Sequence, residues 1–165
     1  QVSPTIHIGD YTIPVHNDYD ISIKADVHLN DSLKEKVVMQ MQSGNSVTIA
    51  NGDWQGDWMQ SSFNELGNAR LLLDTIAPVI TPVGWKNGAT FSSQKNLILK
   101  CTDDLGSVVS FMAKLDGRWL MFAKKNDYFT YSFDEHCASG VHILTITATD
   151  VAGNEAIQTF NFTKQ

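Results

Sequence analysis

Between residues 76 and 165, apolar and polar residues alternate in short stretches broken by turn formers. A period of two places successive side chains on opposite faces of an extended chain, and it is incompatible with an amphipathic helix. Asn96 to Thr102 is one such stretch. Val108 to Leu115 is another, predicted to turn Val109, Phe111, Ala113 and Leu115 to one side. Asp116-Gly117 then supplies the positive φ angles of a two-residue hairpin turn, so Trp119 to Ala123 returns as the next strand. Tyr128 to Phe133 alternates strictly, with Phe129, Tyr131 and Phe133 together. Val141 to Thr149 follows, with Leu144, Ile146 and Ala148 inward, and Ala156 to Phe162 closes the series after the loop Asp150 to Asn154. With Pro78-Val79-Ile80 in front, about seven strands recur at roughly 8–12 residues, the spacing of a β-sandwich.

The first 75 residues carry the same signals less cleanly. Thr5 to Val15, Tyr19 to Ala25, Lys36 to Gln42, Ser46 to Ala50, Trp58 to Phe63 and Ala69 to Asp74 read as strands. Asn51-Gly52 and Gln55-Gly56-Asp57 read as turns, and Asp31 to Lys36 as one helical turn capped by Asp31 or Ser32. The expected organisation is all-β: two tandem immunoglobulin-like β-sandwich domains, 1–75 (divergent) and 76–165. The junction near Asp74 to Pro78 has no Gly/Ser linker, which predicts stiff abutment.

Charge and composition narrow the function. The chain is 42% hydrophobic and 18% charged, too apolar for a disordered segment. Its net charge is -6 with no basic cluster, which opposes nucleic-acid binding and adhesion to anionic membranes. No apolar run approaches the ~18 residues of a membrane span. The opening Gln1-Val2-Ser3-Pro4 is polar and has no signal-peptide core.

Some residues carry a family likeness. Asp74-Thr75-Ile76-Ala77-Pro78-Val79-Ile80, Leu115-Asp116-Gly117-Arg118-Trp119, Gly140 to Leu144 and Asp150 to Asn154 resemble bacterial immunoglobulin-like repeats in their usual order. Pro14-Val15-His16, Gly52 to Trp58 and Glu65-Leu66-Gly67 resemble the region before that repeat in zinc endopeptidases of the lysostaphin/LytM type. The second resemblance implies the non-catalytic C-terminal region of a protein acting on peptidoglycan. Such peptidases bind zinc through His-x-x-x-Asp and His-x-His. None of the five histidines (His7, His16, His28, His136, His142) is expected to take part in either pattern, so the resemblance implies that the catalytic domain is absent from this chain. The expected role is a non-enzymatic accessory or spacer module, secreted, periplasmic or on a bacterial cell surface. Its partners would be cell-wall glycan or peptidoglycan, or a neighbouring domain of the same polypeptide. The alternative is a free-standing carbohydrate-binding or adhesin module.

No Gly-x-Ser-x-Gly elbow or phosphate-binding loop occurs, and neighbours such as His136 and Cys137 point to opposite faces of an extended chain. Trp54 and Trp58 flank a glycine-containing turn, so they are candidates to stack on sugar rings; the competing role is that one or both cover the small core or the domain interface. Trp119 is expected to pack, and Trp85 has no assigned role. If strands alternate in direction, Cys101 and Cys137 lie at opposite ends of the sandwich, ~17–20 Å apart. A disulfide needs Cα atoms within ~7 Å, so free thiols are predicted. The same reasoning gathers Asp74, Asp103, Asp104, Asp150 and Asn154 at one pole. That set suits calcium, which takes oxygen ligands, whereas the simpler reading is that Asp and Asn cap turns through their own backbones.

Overall fold

The computed structural model describes residues 1–165. Two compact units divide them: residues 1–75 with 151–154, and residues 76–150 with 155–165. Each is a β-sandwich, as the period of two requires.

The first unit contains β1 (Ile6–His7), β2 (Tyr19–Lys24), α1 (Asp31–Lys34), β3 (Val37–Ser43), β4 (Ser46–Ala50), β5 (Asp53–Gln55), β6 (Trp58–Phe63) and β7 (Asn68–Leu73). One sheet has the order β1-β7-β3-β4 and the other β2-β6-β5, with every pairing antiparallel. Alternation selects the inner faces: Ile21 and Ile23 on β2, Met59 and Phe63 on β6, Met39 and Met41 on β3, and Ala69 and Leu71 on β7 form one buried cluster. Three methionines at this centre let straight, flexible side chains fill a small interior. The Asp20 carboxylate accepts from Gln60 Nε2 at 2.8 Å and from the Ser62 hydroxyl, tying the outer face of β2 to β6.

Two expectations for this unit need correction. The strand predicted over Thr5 to Val15 shrinks to Ile6–His7. Beyond it Gly9 takes φ 151°, and the Asp10 carboxylate accepts from both the Thr12 amide and hydroxyl. This local turn competes with sheet pairing. The helical turn is capped by Asn30, whose side chain accepts from Leu33 N at 2.9 Å, rather than by Asp31 or Ser32.

The second unit contains β8 (Val79–Pro82), β9 (Ala89–Phe91), β10 (Asn96–Thr102), β11 (Ser110–Leu115), β12 (Arg118–Leu120), β13 (Ala123–Lys125), β14 (Tyr128–Ser132), β15 (Gly140–Thr149) and β16 (Glu155–Lys164). One sheet is ordered β13-β14-β10-β8 and the other β12-β11-β15-β16-β9. The long β15–β16 pair is antiparallel, whereas β9 joins β16 in parallel. Leu97, Leu99, Phe129 and Tyr131 from the first sheet meet Ala113, Leu115, Leu144, Ile146, Phe160 and Phe162 from the second in a single core. Burying each large apolar side chain is worth about 1.5–3 kcal/mol, so this interior carries most of the unit's stability.

The Asp116-Gly117 turn forms as its chemistry dictates, with φ of 50° and 81°. Val109 is the exception to the predicted face: it is exposed and Val108 is buried. The strand's alternation starts only at Ser110.

After Leu120 the chain leaves the five-stranded sheet, and by Ala123 it has joined the four-stranded one. Met121 and Phe122 make the crossing. Phe122 turns inward against Phe111 and Tyr131, at ring-centroid distances of 5.5 and 5.7 Å. Met121 is left exposed.

Candidate functional site

Trp54 and Trp58 do not share a surface. Trp54 pairs with Met59 across β5–β6, and Trp58 pairs with Gln55 on one side and Lys24 on the other. Residues paired across a ladder share a face, and neighbours along a strand do not. Met59 is fully buried, so Trp54 shares the inner face and packs against the core. Its indole N–H donates to Lys34 O at 3.1 Å, and Lys34 Nζ lies 5.3 Å from the ring centroid. Trp58 occupies the outer face and is half-exposed. The role of covering the core therefore describes Trp54, and a two-tryptophan sugar platform is not formed. Trp54 still borders a cleft of about 420 Å³ with Asp31, Lys34, Glu35, Asn51 and Asp53.

The tryptophan that stands open is Trp119, at 65% exposure, contrary to the expectation that it packs. Register explains this. Leu120 pairs with Ala113 on the inner face of β11–β12, so Trp119 is carried outward beside Lys114. It borders a cleft of about 330 Å³ where the two sheets diverge, lined also by Met121, Thr130, Tyr131, Ser132, Asp134 and His136. Asp134 Oδ1 accepts from Tyr131 Oη at 2.5 Å and from the His136 amide at 3.0 Å, with His136 Nδ1 at 3.2 Å. The Tyr131 hydroxyl, followed by the His136 amide, holds the Asp134 carboxyl below the usual carboxylate range. Trp85, which had no assigned role, is structural: its N–H donates to Ile98 O at 2.8 Å, and its ring meets Phe91 and Phe160 edge-on.

The five candidate calcium ligands fall in different settings. In the first unit, Asp74 and Asn154 are buried, and the Asn154 amide reaches Asp74 O at 3.2 Å and Asp74 Oδ1 at 3.3 Å. In the second unit, Asp150 is buried and Asp104 is exposed. Asp103 caps its own loop, with Oδ2 accepting from Leu105 N at 3.1 Å and Gly106 N at 3.0 Å. Its Oδ1 is buried without a hydrogen-bond partner. Asp134, Glu135 and His136 also bring one ligand atom each within 4.8 Å of one another, but all three are exposed neighbours on one turn. A structural or catalytic zinc centre draws its ligands from converging elements.

One partial pattern escapes the sequence argument. His16 and Asp20 stand at His-x-x-x-Asp spacing. His16 is exposed outside any strand, and Asp20 is engaged by Gln60 and Ser62. The chain has no zinc-peptidase active site.

Cys101 and Cys137 are buried free thiols. Burial pushes each pKa up to about 11, which suppresses the reactive thiolate. His142 is the most engaged histidine: Nδ1 lies 2.7 Å from Asp116 Oδ2, and Nε2 lies 2.7 Å from Ala138 O.

Comparison with known proteins agrees with this architecture. Residues 1–74 match the Zu5-like domain family, and residues 84–163 match the bacterial Ig-like domain family. The chain therefore carries two tandem domains, one Zu5-like and one immunoglobulin-like. No curated protein matches it. Among solved structures, it is similar to the fibronectin(III)-like modules of CbhA from Clostridium thermocellum, at 13% identity over 88% of this chain and 85% of that one, with a TM-score of 0.41. It is similar to the titin Ig tandem domains A164-A165 at 9% identity, over 92% of this chain and 90% of that one, with a TM-score of 0.40. An endo-beta-1,4-mannanase from Thermotoga petrophila matches 56% of this chain at 9% identity and a TM-score of 0.46, and the chain spans 20% of that enzyme's length. No helix is long and apolar enough to cross a membrane.

Proposed function

We propose that this chain is an accessory and spacer module of a bacterial cell-envelope or secreted protein, positioning a neighbouring domain rather than performing chemistry. One observation carries the reading: both sandwich interiors are filled with apolar side chains, so neither domain builds its centre around a reactive group. Such a fold supplies shape and surface. The match of the second domain to bacterial Ig-like domains supports a bacterial setting.

On the lysostaphin/LytM resemblance, the parent protein acts on peptidoglycan and this chain forms its C-terminal part. The test has two arms. The open reading frame around the chain should encode an upstream His-x-x-x-Asp followed by His-x-His; an open reading frame without them removes the peptidase setting. The chain alone, incubated with purified sacculi, should release no soluble fragments. Release of fragments would overturn the accessory reading.

A further inference from the structure

We propose that the cleft beside Trp119 in the second domain is a binding site for an uncharged pyranose unit of a polysaccharide. Sugar recognition needs two things together: an aromatic face for the apolar C–H patch of the ring, and polar groups at its edge to meet the hydroxyls. Trp119 supplies the first. Its ring stacks on no other aromatic side chain, lies under no cation, and its N–H makes no hydrogen bond within the chain. An indole held open in this way keeps a large apolar surface in water, at a cost to the isolated domain.

The polar groups are in place. Asp134 uses only Oδ1 within the protein, for Tyr131 Oη and for His136, and its Oδ2 accepts no bond from the chain. The buried Tyr131 hydroxyl fixes the carboxylate, so Oδ2 is a pre-oriented acceptor for a sugar hydroxyl. His136 spends Nδ1 on Asp134, which leaves Nε2 for a second hydroxyl. Thr130 and Ser132 line the same wall, and Met121 extends the apolar floor. The volume of about 330 Å³ falls within the ~300–1,000 Å³ of small-ligand sites.

Charge selects among sugars. Asp134 and Glu135 are exposed carboxylates at this turn, and the chain's net charge is -6. Uronic-acid polymers are therefore disfavoured, and neutral pyranoses are accepted. The site is independent of the accessory reading and lies in the other domain from Trp54 and Trp58.

The experiment is isothermal titration calorimetry of the whole chain with cellohexaose, mannohexaose, hexa-N-acetylchitohexaose and hexagalacturonate. At least one neutral hexasaccharide should bind, and hexagalacturonate should bind at least tenfold more weakly. Trp119→Ala should weaken binding at least tenfold, and Asp134→Asn several-fold, whereas Trp58→Ala should leave it unchanged. Because Trp119 is exposed and makes no ring contact, Trp119→Ala should keep the wild-type melting midpoint, so loss of binding is not loss of fold. No heat from any neutral hexasaccharide at millimolar concentration, or unaltered binding by Trp119→Ala, overturns the proposal.

Discussion

His142 Nδ1 lies 2.7 Å from the Asp116 carboxylate while its Nε2 lies 2.7 Å from the Ala138 carbonyl, so both ring nitrogens face acceptors. Only an imidazolium donates from both. Asp116 in turn accepts the Ile143 amide through Oδ1 at 2.8 Å. Below its raised pKa the buried, protonated His142 thereby joins the β11–β12 turn, the start of β15 and the loop before it.

Stability should therefore depend on pH through this pair. Desolvation pulls the His142 pKa down, but the Asp116 hydrogen bond, the Ala138 carbonyl and the Asp116 charge outweigh it and leave the pKa above 6.5. Desolvation pulls Asp116 up, but the Ile143 amide and His142 leave it below 3.8. A raised histidine stabilises fully below its unfolded pKa and loses that contribution as pH rises through the folded value. A depressed carboxylate stabilises above its unfolded pKa and loses that contribution as pH falls through the folded one. The pair's contribution is thus greatest between about pH 4 and 6.5. Replacing His142 by Gln should cost about 1–2 kcal/mol there, because Asp116 is half-exposed, and less above pH 8. Urea unfolding of both proteins from pH 4 to 9 reads the difference. A cost that does not change with pH would show that His142 is neutral.

Trp54 and Trp58 should separate cleanly on truncation. Trp54 packs on the core and donates its N–H to Lys34 O, so Trp54→Ala should approach the ~3–5 kcal/mol of a buried tryptophan, reduced for its partial exposure. Trp58 stands on the outer face, and Trp58→Ala should cost under ~1 kcal/mol. Chemical denaturation of the two variants decides the order, and equal losses would contradict the β5–β6 register.

The sequence shows these features unevenly, for physical reasons. Strands β10, β14 and β15 have one buried face and at least five residues, so alternation reveals them, and Asp116-Gly117 reveals its turn by requiring positive φ. Strands β5 and β9 have three residues each, too few to show a period. The roles of single tryptophans depend on pairing. Whether Trp119 faces solvent or core is set by Leu120 pairing with Ala113, and a one-residue slip would reverse it. Trp85 finds its place against nearby Phe91 and against Phe160 and Phe162, and the last two lie far along the chain and arrive only with the fold.

Two glycines of the first domain are needed for space rather than for backbone freedom. A Cβ on Gly52 would lie 2.2 Å from Gln60 O, and one on Gly67 would lie 2.0 Å from Gln42 O. Both obstacles are backbone carbonyls of paired strands, which cannot swing aside as a side chain would. Gly52→Ala and Gly67→Ala should each cost about 1–3 kcal/mol or more through forced backbone shifts. Gly56, with φ +63° and open space around it, should tolerate Asn with little loss, since Asn adopts that conformation readily. Thermal midpoints of the three variants give the ranking; a harmless Gly67→Ala would contradict the close approach to β3.

The two thiols should be inert in the folded chain and reactive once it opens. Cys101 sits on the inner face of β10 with Leu97 and Leu99, and Cys137 lies in the same core cluster. Burial raises both pKa values to about 11, so at pH 8 on the order of one thiol in a thousand is ionised. Access is blocked as well, since both residues are 5% exposed or less. A disulfide reagent at pH 8 should therefore modify neither cysteine over minutes in buffer and both within seconds in concentrated urea. Across a urea series, the modification rate should follow the unfolding transition of the second domain. Rapid labelling of either thiol in buffer alone would mean that this core opens locally, and that its packing is looser than the Phe111–Phe129 stack and the buried Leu97 and Leu99 around it require.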